Sequence, residues 1–225
     1  MRRVALAVAA LVGASTLPAA APSVAAGSCT ITTPSKVNIN REFREYPVSF
    51  SGACVNKGGM GSWQAIHPSK GSQEWFLVSG GSSANGARQT FDVYGWMLPV
   101  GTYKIRPDYA YDSTFNSLTQ NTRTMTVKLG SRNVLTSNRS GSTVTLSSTV
   151  STYNTTYSQF RNRGGATVTF YVKNANGTWS RKGTAKSGST GVARLTVTSS
   201  SKRIYKAVTS EGSTYWGATS ATSTR

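Results

Sequence analysis

Alternating apolar and polar side chains mark one segment in the second half of the chain. Val168, Phe170 and Val172 are separated by polar residues, and this period of two is typical of a strand with one buried face. The Asn-Gly pair at 176–177 suits a tight reversal, and Trp179 begins the return strand. A hairpin of this kind is marginally stable alone. The pattern therefore predicts a second sheet that covers its apolar face.

The same alternation recurs in short segments on both sides of this hairpin. We predict further strands within residues 29–33, 46–51, 63–67, 74–78, 88–94, 98–105, 118–128, 133–136, 142–147, 191–197, 202–208 and 214–218. Residues 107–116 are predicted to be a Tyr-rich loop or an edge segment. Turn signals at intervals of about 8–12 residues are typical of β-sandwiches. The sequence thus predicts an all-β fold. It consists of two antiparallel β-sandwich domains, at 27–128 and 129–225, with few residues between them.

The first 26 residues have the features of a signal peptide. A positive Met1-Arg2-Arg3 precedes an apolar run over residues 4–17, and Val24-Ala25-Ala26 forms a small-residue cleavage site. The apolar run is shorter than the roughly 18 residues that a membrane-spanning helix needs. We expect residues 1–26 to be removed, and the mature protein to be secreted, extracellular and without a membrane span.

Cysteine usage agrees with export. Cys29 and Cys54 are the only cysteines, and two lone cysteines in an exported protein most often pair. Closing a loop of this length stabilises a fold by roughly 3 kcal/mol in the chain-entropy model. A reactive thiol or a metal site is the alternative, which the single histidine and the lack of a Cys-x-x-Cys pair disfavour. We expect no metal and no cofactor.

Positive charge is concentrated in the second half of the chain. Residues 29–125 contain 9 basic and 6 acidic residues, whereas residues 126–225 contain 14 basic residues and one acid, Glu211. An uncompensated field of this kind favours association with polyanions. The residues expected to bind a polyanion, near turns or at polar strand positions, are Arg161, Arg163, Lys173, Arg181, Lys182, Lys186, Lys202, Arg203 and Lys206.

The nature of the polyanion stays open at this point. Outside a Gram-positive cell the abundant polyanions are teichoic-type wall polymers, acidic exopolysaccharide and released DNA. Contacts of Lys and Arg with phosphate would be sensitive to salt and indifferent to sequence. No nucleic-acid-binding motif is present. The alternative is that the charge serves only the solubility of a basic secreted protein.

Three segments of the second half support a resemblance. Residues 191–197 (GVARLTV), 205–208 (YKAV) and 215–220 (YWGATS) resemble bacterial extracellular immunoglobulin-like repeat domains, as in small secreted proteins of actinobacteria. The resemblance covers roughly residues 130–225, and the first half shares mainly Pro99–Tyr103, a common sandwich turn. It implies two immunoglobulin-like domains and an extracellular location. It implies no catalytic residues, because the family has none in common.

Aromatic residues of the first half suggest a second kind of surface. Trp96, Tyr109 and Tyr111 lie in predicted turns or loops, where flat rings could stack against sugars and form an aromatic ligand surface. Trp63 and Trp75 lie within predicted strands, and a sandwich of this size needs one or two core aromatics. Burial in the core is therefore the competing interpretation for at least one of these two tryptophans.

Two other functional classes remain as alternatives to a binding module. An extracellular hydrolase of wall or polysaccharide would use His67 with Asp92, Asp108 or Asp112, although no Gly-x-Ser-x-Gly elbow supports nucleophilic catalysis. The acids at 108 and 112 could instead hold Ca²⁺, although their spacing matches no EF-hand. A secreted structural or inhibitory protein would bind another protein through its loops. We expect a non-enzymatic protein, and hence no catalytic residues.

Overall fold

The structure is a computed structural model and describes residues 27–81 and 87–225. The predicted signal peptide at 1–26 lies outside the described residues. The described strands of the first sandwich are β1 (Ser28–Thr32), β2 (Lys36–Ile39), β3 (Phe43–Gly52), β4 (Met60–His67), β5 (Gly71–Ser79), β6 (Arg88–Tyr94), β7 (Gly101–Tyr111), β8 (Thr119–Gln120) and β9 (Arg123–Leu129). A short 3₁₀ helix, Ala53–Val55, follows β3.

Two sheets face each other in this first sandwich. One has the strand order β6-β3-β1-β8 and the other β2-β9-β7-β4-β5. β2 runs parallel to β9, and β1 runs parallel to β8, whereas the remaining pairs are antiparallel. The first two short strands thus belong to different sheets, β1 to the first and β2 to the second. The predicted all-β sandwich fold is confirmed.

Large side chains from both sheets fill the space between them. Trp63, Phe76 and Phe91 are fully buried, each on the inward face of its strand. The predicted disulfide between Cys29 and Cys54 is present, with a Cα–Cα distance of 5.4 Å. Both cysteines belong to the same buried cluster, so the bridge fastens β1 to the end of β3 inside the core.

The first sandwich has the features of an immunoglobulin-like domain. The Tyr103 hydroxyl donates a hydrogen bond of 2.6 Å to the Pro99 carbonyl, and burial raises the pKa of this hydroxyl. Such a tyrosine corner, together with a buried tryptophan such as Trp63 on the neighbouring strand β4, is characteristic of immunoglobulin-like sandwiches. The predicted turn at 99–103 therefore has a structural role, because the tyrosine fastens the turn to the core.

The second sandwich repeats this arrangement with fewer aromatic residues. Its described strands are β10 (Ser131–Ser140), β11 (Thr143–Asn154), β12 (Gln159–Asn162), β13 (Thr167–Lys173), β14 (Trp179–Lys186), β15 (Val192–Thr198), β16 (Ile204–Thr209), β17 (Ala218–Thr219) and β18 (Ser223–Thr224). β11 pairs with β10 on one side and with β15 and β12 on the other. The facing sheet has the order β14-β13-β16, and both β17 and β18 pair with β16.

The hairpin predicted from alternation forms the centre of this facing sheet. Val168, Phe170 and Val172 are buried and pack in one cluster with Leu146 and Tyr205. Gly177 has a φ of 83°, a conformation that glycine adopts readily, and closes the turn between β13 and β14. The apolar face of the hairpin is covered by the β10-β11-β15 sheet, as its marginal intrinsic stability requires.

Several segments differ from the sequence-based expectation. The strand predicted at 214–218 is wrong over most of its length, because Thr214 and Trp216 hydrogen-bond Leu129 at the junction of the two sandwiches and only Ala218 belongs to a strand, β17.

Residues 107–116 are predicted to be a loop or an edge segment. β7 continues to Tyr111 and pairs there with β4 but not with β9, as an edge segment does, and a loop follows at 112–116. Pro107 is tolerated in β7 because the register of β4 and β7 shifts beside its partner Trp63, and bulges accommodate residues without an N–H. The polar stretch before Arg163 contains the short strand β12, whose sequence Gln-Phe-Arg-Asn has no clear alternation.

The two sandwiches are joined by a single residue. β9 ends at Leu129 and β10 begins at Ser131, so that only Gly130 lies between them. The Gly130 amide donates to the Ile39 carbonyl at 2.8 Å, and its carbonyl accepts from the Tyr153 amide at 2.8 Å. A Cβ atom at this position would lie 2.6 Å from Asn38 Oδ1. Glycine is needed here because the side chains of Asn38 and Asn40 leave no room for a Cβ atom.

Trp216 completes the junction from the second sandwich. Its indole Nε1 donates a hydrogen bond of 2.9 Å to the Val37 carbonyl, and its amide donates to the Leu129 carbonyl at 2.9 Å. The ammonium groups of Lys36 and Lys128 lie 5.2 and 5.0 Å from its ring centroid. Tyr153 of the second sandwich is also part of the core cluster of the first. Hydrogen bonds, cation–π contacts and shared core therefore hold the two sandwiches together.

We predict that Trp216→Ala lowers the free energy of unfolding by about 2–3 kcal/mol, because it removes a half-buried ring, its hydrogen bond and both cation–π contacts. Differential scanning calorimetry should show two separate unfolding transitions in place of a coupled one. Trp216→Phe keeps an aromatic ring and loses the indole N–H, so it should have a smaller effect. An unchanged calorimetric profile for Trp216→Ala would mean that the junction does not couple the two sandwiches.

Candidate functional site

The basic side chains of the second sandwich lie near almost no negative charge. Glu211, the one acid after residue 125, lies at the junction, where its carboxylate accepts a 2.5 Å hydrogen bond from Lys128 Nζ. This pair is the one salt bridge found among residues 27–81 and 87–225. The remaining cations of the second sandwich therefore have no carboxylate partner within the described chain. Their positive charge is available to a ligand.

Four of the predicted binding residues lie on one face of a sheet. Tyr171 of β13 is the cross-strand partner of both Arg181 and Lys206, Lys173 is paired with Trp179, and Thr167 is paired with Lys186. Residues directly opposite each other in an antiparallel pair project from the same face. This face is opposite to the one that buries Val168, Phe170 and Val172. We name it the basic sheet face, with the residues Tyr171, Lys173, Trp179, Arg181, Lys186 and Lys206.

Aromatic rings orient the central lysine of the basic sheet face. Lys206 Nζ lies 4.3 Å from the ring centroid of Trp179 and 5.6 Å from that of Tyr171. The negative face of an aromatic ring attracts a cation without neutralising its charge. Lys206 is thus held in position by the two rings. Tyr171 and Trp179 are not among the predicted site residues, although both occupy outward positions of the strand alternation, close to basic residues.

Three further predicted residues gather at the end of the second sandwich that lies away from the junction. Lys182 is the extra residue of a β-bulge between Arg181 and Gly183. Lys202 and Arg203 lie in the loop before β16, where the Arg203 amide hydrogen-bonds the carbonyl of Arg225. Lys182 and Arg203 line one cleft of 390 Å³, and Lys202 lines a neighbouring cleft of 690 Å³. Seven of the nine predicted residues therefore lie on this face or at this end.

Arg161 and Arg163 lie apart from this group, near the junction. The Arg161 guanidinium lies 3.7 Å from the Tyr157 ring centroid, and the Arg163 guanidinium lies 3.5 Å from that of Tyr215. The three side-chain nitrogen atoms of Arg163 are buried, without a hydrogen-bond partner among the described residues. This burial lowers the pKa of Arg163. Arg163 thus stacks on Tyr215 near the junction with its guanidinium nitrogen atoms buried, so that these atoms do not face a polymer.

The structure does not bring the three predicted aromatic ligand residues together. Tyr109 and Tyr111 stack with their ring centroids 5.9 Å apart, at the end of β7 far from the junction. Trp96 is exposed in the turn after β6, next to Gly95, which approaches Ile39 and Tyr153 at the junction. At about 3.3 Å per residue along β7, the two sites are roughly 30 Å apart.

Trp75 is the tryptophan that shares a sheet face with Tyr109. Ser62 of β4 is paired with Tyr109 on one side and with Leu77 on the other, and Trp75 is paired with the next outward residue, Gln64. Trp75 and Leu77 are about half exposed, at 46% and 54%. The outer face of this sheet therefore carries an apolar patch. The sequence contained a signal for it, because Trp75 and Leu77 are the two neighbours of the buried Phe76 in the strand and so must point outward.

The residues of the hydrolase alternative are dispersed. His67 Nε2 lies 3.0 Å from the Val100 carbonyl, and its Nδ1 accepts from the Ser69 amide at 3.2 Å. Both ring nitrogens of His67 thus contact the backbone of adjacent turns. Asp92 lies on β6, in the other sheet from His67, and is paired with Glu45. His67 contacts Val100, just before β7 begins, whereas Asp112 follows the last residue of β7. No base, nucleophile and acid converge among these residues.

Asp112 closes its own loop. Its Oδ1 accepts hydrogen bonds from the Thr114 amide, the Thr114 hydroxyl and the Asn116 amide at 2.8–2.9 Å, and its Oδ2 accepts from Asn116 Nδ2 at 3.1 Å. These donors lower the pKa of Asp112 to about 2. The carboxylate is thus used in turn formation, as is common for Asp. Among the described residues, no three His, Cys, Asp or Glu side chains form a possible metal site.

No helix of the described chain has the length and apolarity needed to cross a membrane.

Comparisons with known proteins extend this description only at the level of the fold. No protein-family model matches the chain, and no curated protein matches it. Similar solved structures include the D00-D0 domain of intimin, with 15% identity, a TM-score of 0.30, and coverage of 87% of this chain and 98% of that one. CBD12 from CALX1.2 has 14% identity, a TM-score of 0.32, and coverage of 82% and 83%.

The two tandem V-type regions of VCBP3, a v-region-containing chitin binding protein, are a further neighbour. They have 12% identity and a TM-score of 0.26, with coverage of 86% of this chain and 99% of that one. At these identities and TM-scores, what the neighbours bind carries no argument for this chain. The immunoglobulin-like assignment follows from the sheets and the tyrosine corner themselves.

The hydrogen bonds of Asp112 lead to a pH prediction. Because the folded-state pKa of about 2 is below the ordinary value of about 3.9, the carboxylate stabilises the loop fully above pH ~4, and this contribution is lost as the pH falls towards 2. NMR titration of the Asp112 carboxyl carbon should give a midpoint near pH 2. Asp108→Asn is the control, which should leave that midpoint unchanged. A midpoint near 4 would show that the loop does not hold the carboxylate.

Proposed function

We propose that this protein is a secreted, non-enzymatic binding module that engages anionic polymers of the bacterial cell envelope or its surroundings through its second sandwich. The observation that carries the proposal is the basic sheet face, where Lys173, Arg181, Lys186 and Lys206 project from one side without a neighbouring carboxylate. An immunoglobulin-like sandwich suits this role, because its rigid sheet can present side chains at fixed spacing.

The distribution of charge favours ligand binding over solubility alone. Charge that serves only solubility works best when both signs are interspersed. Here cations converge on one face and one end, and like charges at strand spacing of about 4.8 Å repel each other. Lys206 is also held against two aromatic rings. A bound polyanion would relieve this repulsion, and each phosphate contact would release condensed counterions.

Secretion is part of the proposal and has its own support. The signal-like segment at 1–26 precedes a disulfide between Cys29 and Cys54. Disulfides form and persist in oxidising compartments and are rare in the cytosol. Envelope polymers are the polyanions that an exported bacterial protein would meet in quantity.

A second candidate function has one specific observation in its favour. The apolar patch formed by Trp75, Leu77 and Tyr109 is exposed on the outer face of the first sandwich. Exposed apolar patches often mark interaction sites. A secreted module that binds another protein would use this patch and not the basic sheet face. Binding to envelope polymers would then be absent or insensitive to charge changes in the second sandwich.

We predict that the protein sediments with isolated Gram-positive cell walls at low salt, and that its affinity falls steeply as salt is added. The variant Lys173→Gln/Arg181→Gln/Lys186→Gln/Lys206→Gln should bind at least tenfold more weakly, because four phosphate contacts are lost. The slope of log K against log salt should fall by about 3. Co-sedimentation at several salt concentrations measures both quantities.

A charge-matched variant on the first sandwich serves as the control. Lys57, Lys70, Arg88 and Lys104 are exposed, and changing these four to Gln should alter the affinity by less than twofold. Failure of the wild-type protein to bind walls at low salt would refute the proposal. Equal losses in both variants would show that net charge alone, and not the basic sheet face, drives association.

A further inference from the structure

The end of the second sandwich away from the junction contains a cleft that the flat sheet face does not explain. We name it the distal cleft. It has a volume of 390 Å³, within the range of small-ligand sites, and lies between the loop at 199–203 and the β13–β14 hairpin. The residues used below that line it are Ser142, Lys182, Ser199, Ser200, Ser201 and Arg203.

The loop at 199–203 is held in one conformation by a cation outside the cleft. Arg139 Nη1 donates to the Ser199 carbonyl at 2.5 Å, and its Nη2 donates to the Ser201 carbonyl at 2.7 Å. The Ser199 hydroxyl also donates to the Ser201 carbonyl at 2.8 Å. Arg139 lines the neighbouring cleft and not this one. The carbonyl oxygens of Ser199 and Ser201 thus have hydrogen-bond donors before any ligand arrives.

What remains in the distal cleft is a set of hydrogen-bond donors. Lys182 and Arg203 supply two exposed cations, and Ser142, Ser200 and Ser201 supply hydroxyl groups. No carboxylate is among the lining residues, and Glu211 is engaged with Lys128 at the opposite end of the sandwich. Cations and hydroxyl donors around an enclosed volume favour an anion with several oxygen atoms.

The donor geometry favours phosphate over carboxylate. A single arginine can satisfy a planar carboxylate in a bidentate manner, whereas here a lysine, an arginine and several hydroxyls lie on different elements around the cleft. A tetrahedral phosphate presents oxygen atoms in more directions. Tyr205, the one aromatic residue in the lining, is 1% exposed. The cleft therefore offers no ring on which a nucleobase could stack, as single-stranded nucleic acid requires.

We propose that the distal cleft is a discrete binding site for one phosphate group of a polyol-phosphate chain. Lys182 and Arg203 hold the phosphate, and the serine hydroxyls contact the adjacent hydroxyl-bearing unit. This inference rests on the proposed function, because it names the polymer class that the second sandwich engages. It adds a step that the basic sheet face lacks, since the face attracts any polyanion whereas the cleft selects the chemistry of the repeating unit.

The test uses the full mature chain, labelled with ¹⁵N, and sn-glycerol 3-phosphate as the probe at low salt. Amide shifts should saturate at residues 199–203 and at Lys182. Lys182→Gln/Arg203→Gln should weaken this binding at least tenfold. The control Lys70→Gln/Arg88→Gln removes the same charge from the first sandwich and should change it by less than twofold. Dispersed amide spectra of both variants verify folding, since all four side chains are exposed.

Comparison probes separate the possible sources of the signal. Acetate and glycerol should each cause no saturable shift, and a short poly(glycerol phosphate) should bind more tightly than the monomer because it also reaches the basic sheet face. Saturating shifts with acetate at similar affinity, or shifts unaffected by Lys182→Gln/Arg203→Gln, would overturn the proposal. A single-stranded oligonucleotide that occupies the cleft more tightly than poly(glycerol phosphate) would also overturn it, in favour of nucleic acid.

The outcomes for the cleft and for the proposed function are distinguishable. Salt-sensitive wall binding without a phosphate-induced shift would leave the basic sheet face as the binding surface and reject the cleft. A saturable phosphate shift without wall binding would support the cleft and reject the envelope-polymer function.

Discussion

Burial of one face of β13 is the constraint on which the second sandwich and its candidate site both depend. Val168, Phe170 and Val172 have no stable position except against the facing sheet, because each fully buried aliphatic or aromatic side chain contributes about 1.5–3 kcal/mol through the hydrophobic effect. The strand period of two then forces the residues between them outward. Tyr171 and Lys173 point outward for the same reason that Phe170 is buried. The side chains that stabilise the fold and the side chains that face a ligand thus alternate along the same strand.

The pairing register of neighbouring strands brings outward side chains from different strands together on one surface. Arg181 and Lys206 come from strands that are distant in sequence, yet both are direct partners of Tyr171. The bulge beside Arg181 has a further effect, because it adds Lys182 at the mouth of the sandwich, where it meets Arg203 across the distal cleft. A one-residue change in the pairing of β13 with β14 would turn every side chain of one strand to the other face.

The junction gives the two sandwiches a fixed relationship. Gly130 leaves no length for a flexible linker, and Trp216 connects the second sandwich to β2 and β9 of the first. The one acid of the second half is used here, in the pair with Lys128. The Glu211 carboxylate is thus engaged at the junction, and the cations at the other end of the second sandwich have no Asp or Glu partner among the described residues.

Alternation and turn chemistry were sufficient to predict the all-β fold, the hairpin at 168–179 and the disulfide. The alternation also placed Lys173 and Lys206 at outward positions. It could not reveal β12, since Gln-Phe-Arg-Asn shows no period, nor the continuation of β7 through Pro107, since the accommodating bulge lies opposite Trp63 on a different strand. It could not tell Arg163 from its exposed neighbours, because stacking against Tyr215 depends on a residue 52 positions away.

The sequence by itself determined which residues are buried in strands, how many positive charges the second half carries, and that its single acid cannot balance them. Only the tertiary structure decided which of those charges share a face, which line a cleft, and which guanidinium group is buried against an aromatic ring. The reason is physical: burial depends on each residue's own chemistry and on the local period of the strand. The convergence of cations depends on register between strands, which is set by contacts between residues far apart in the chain.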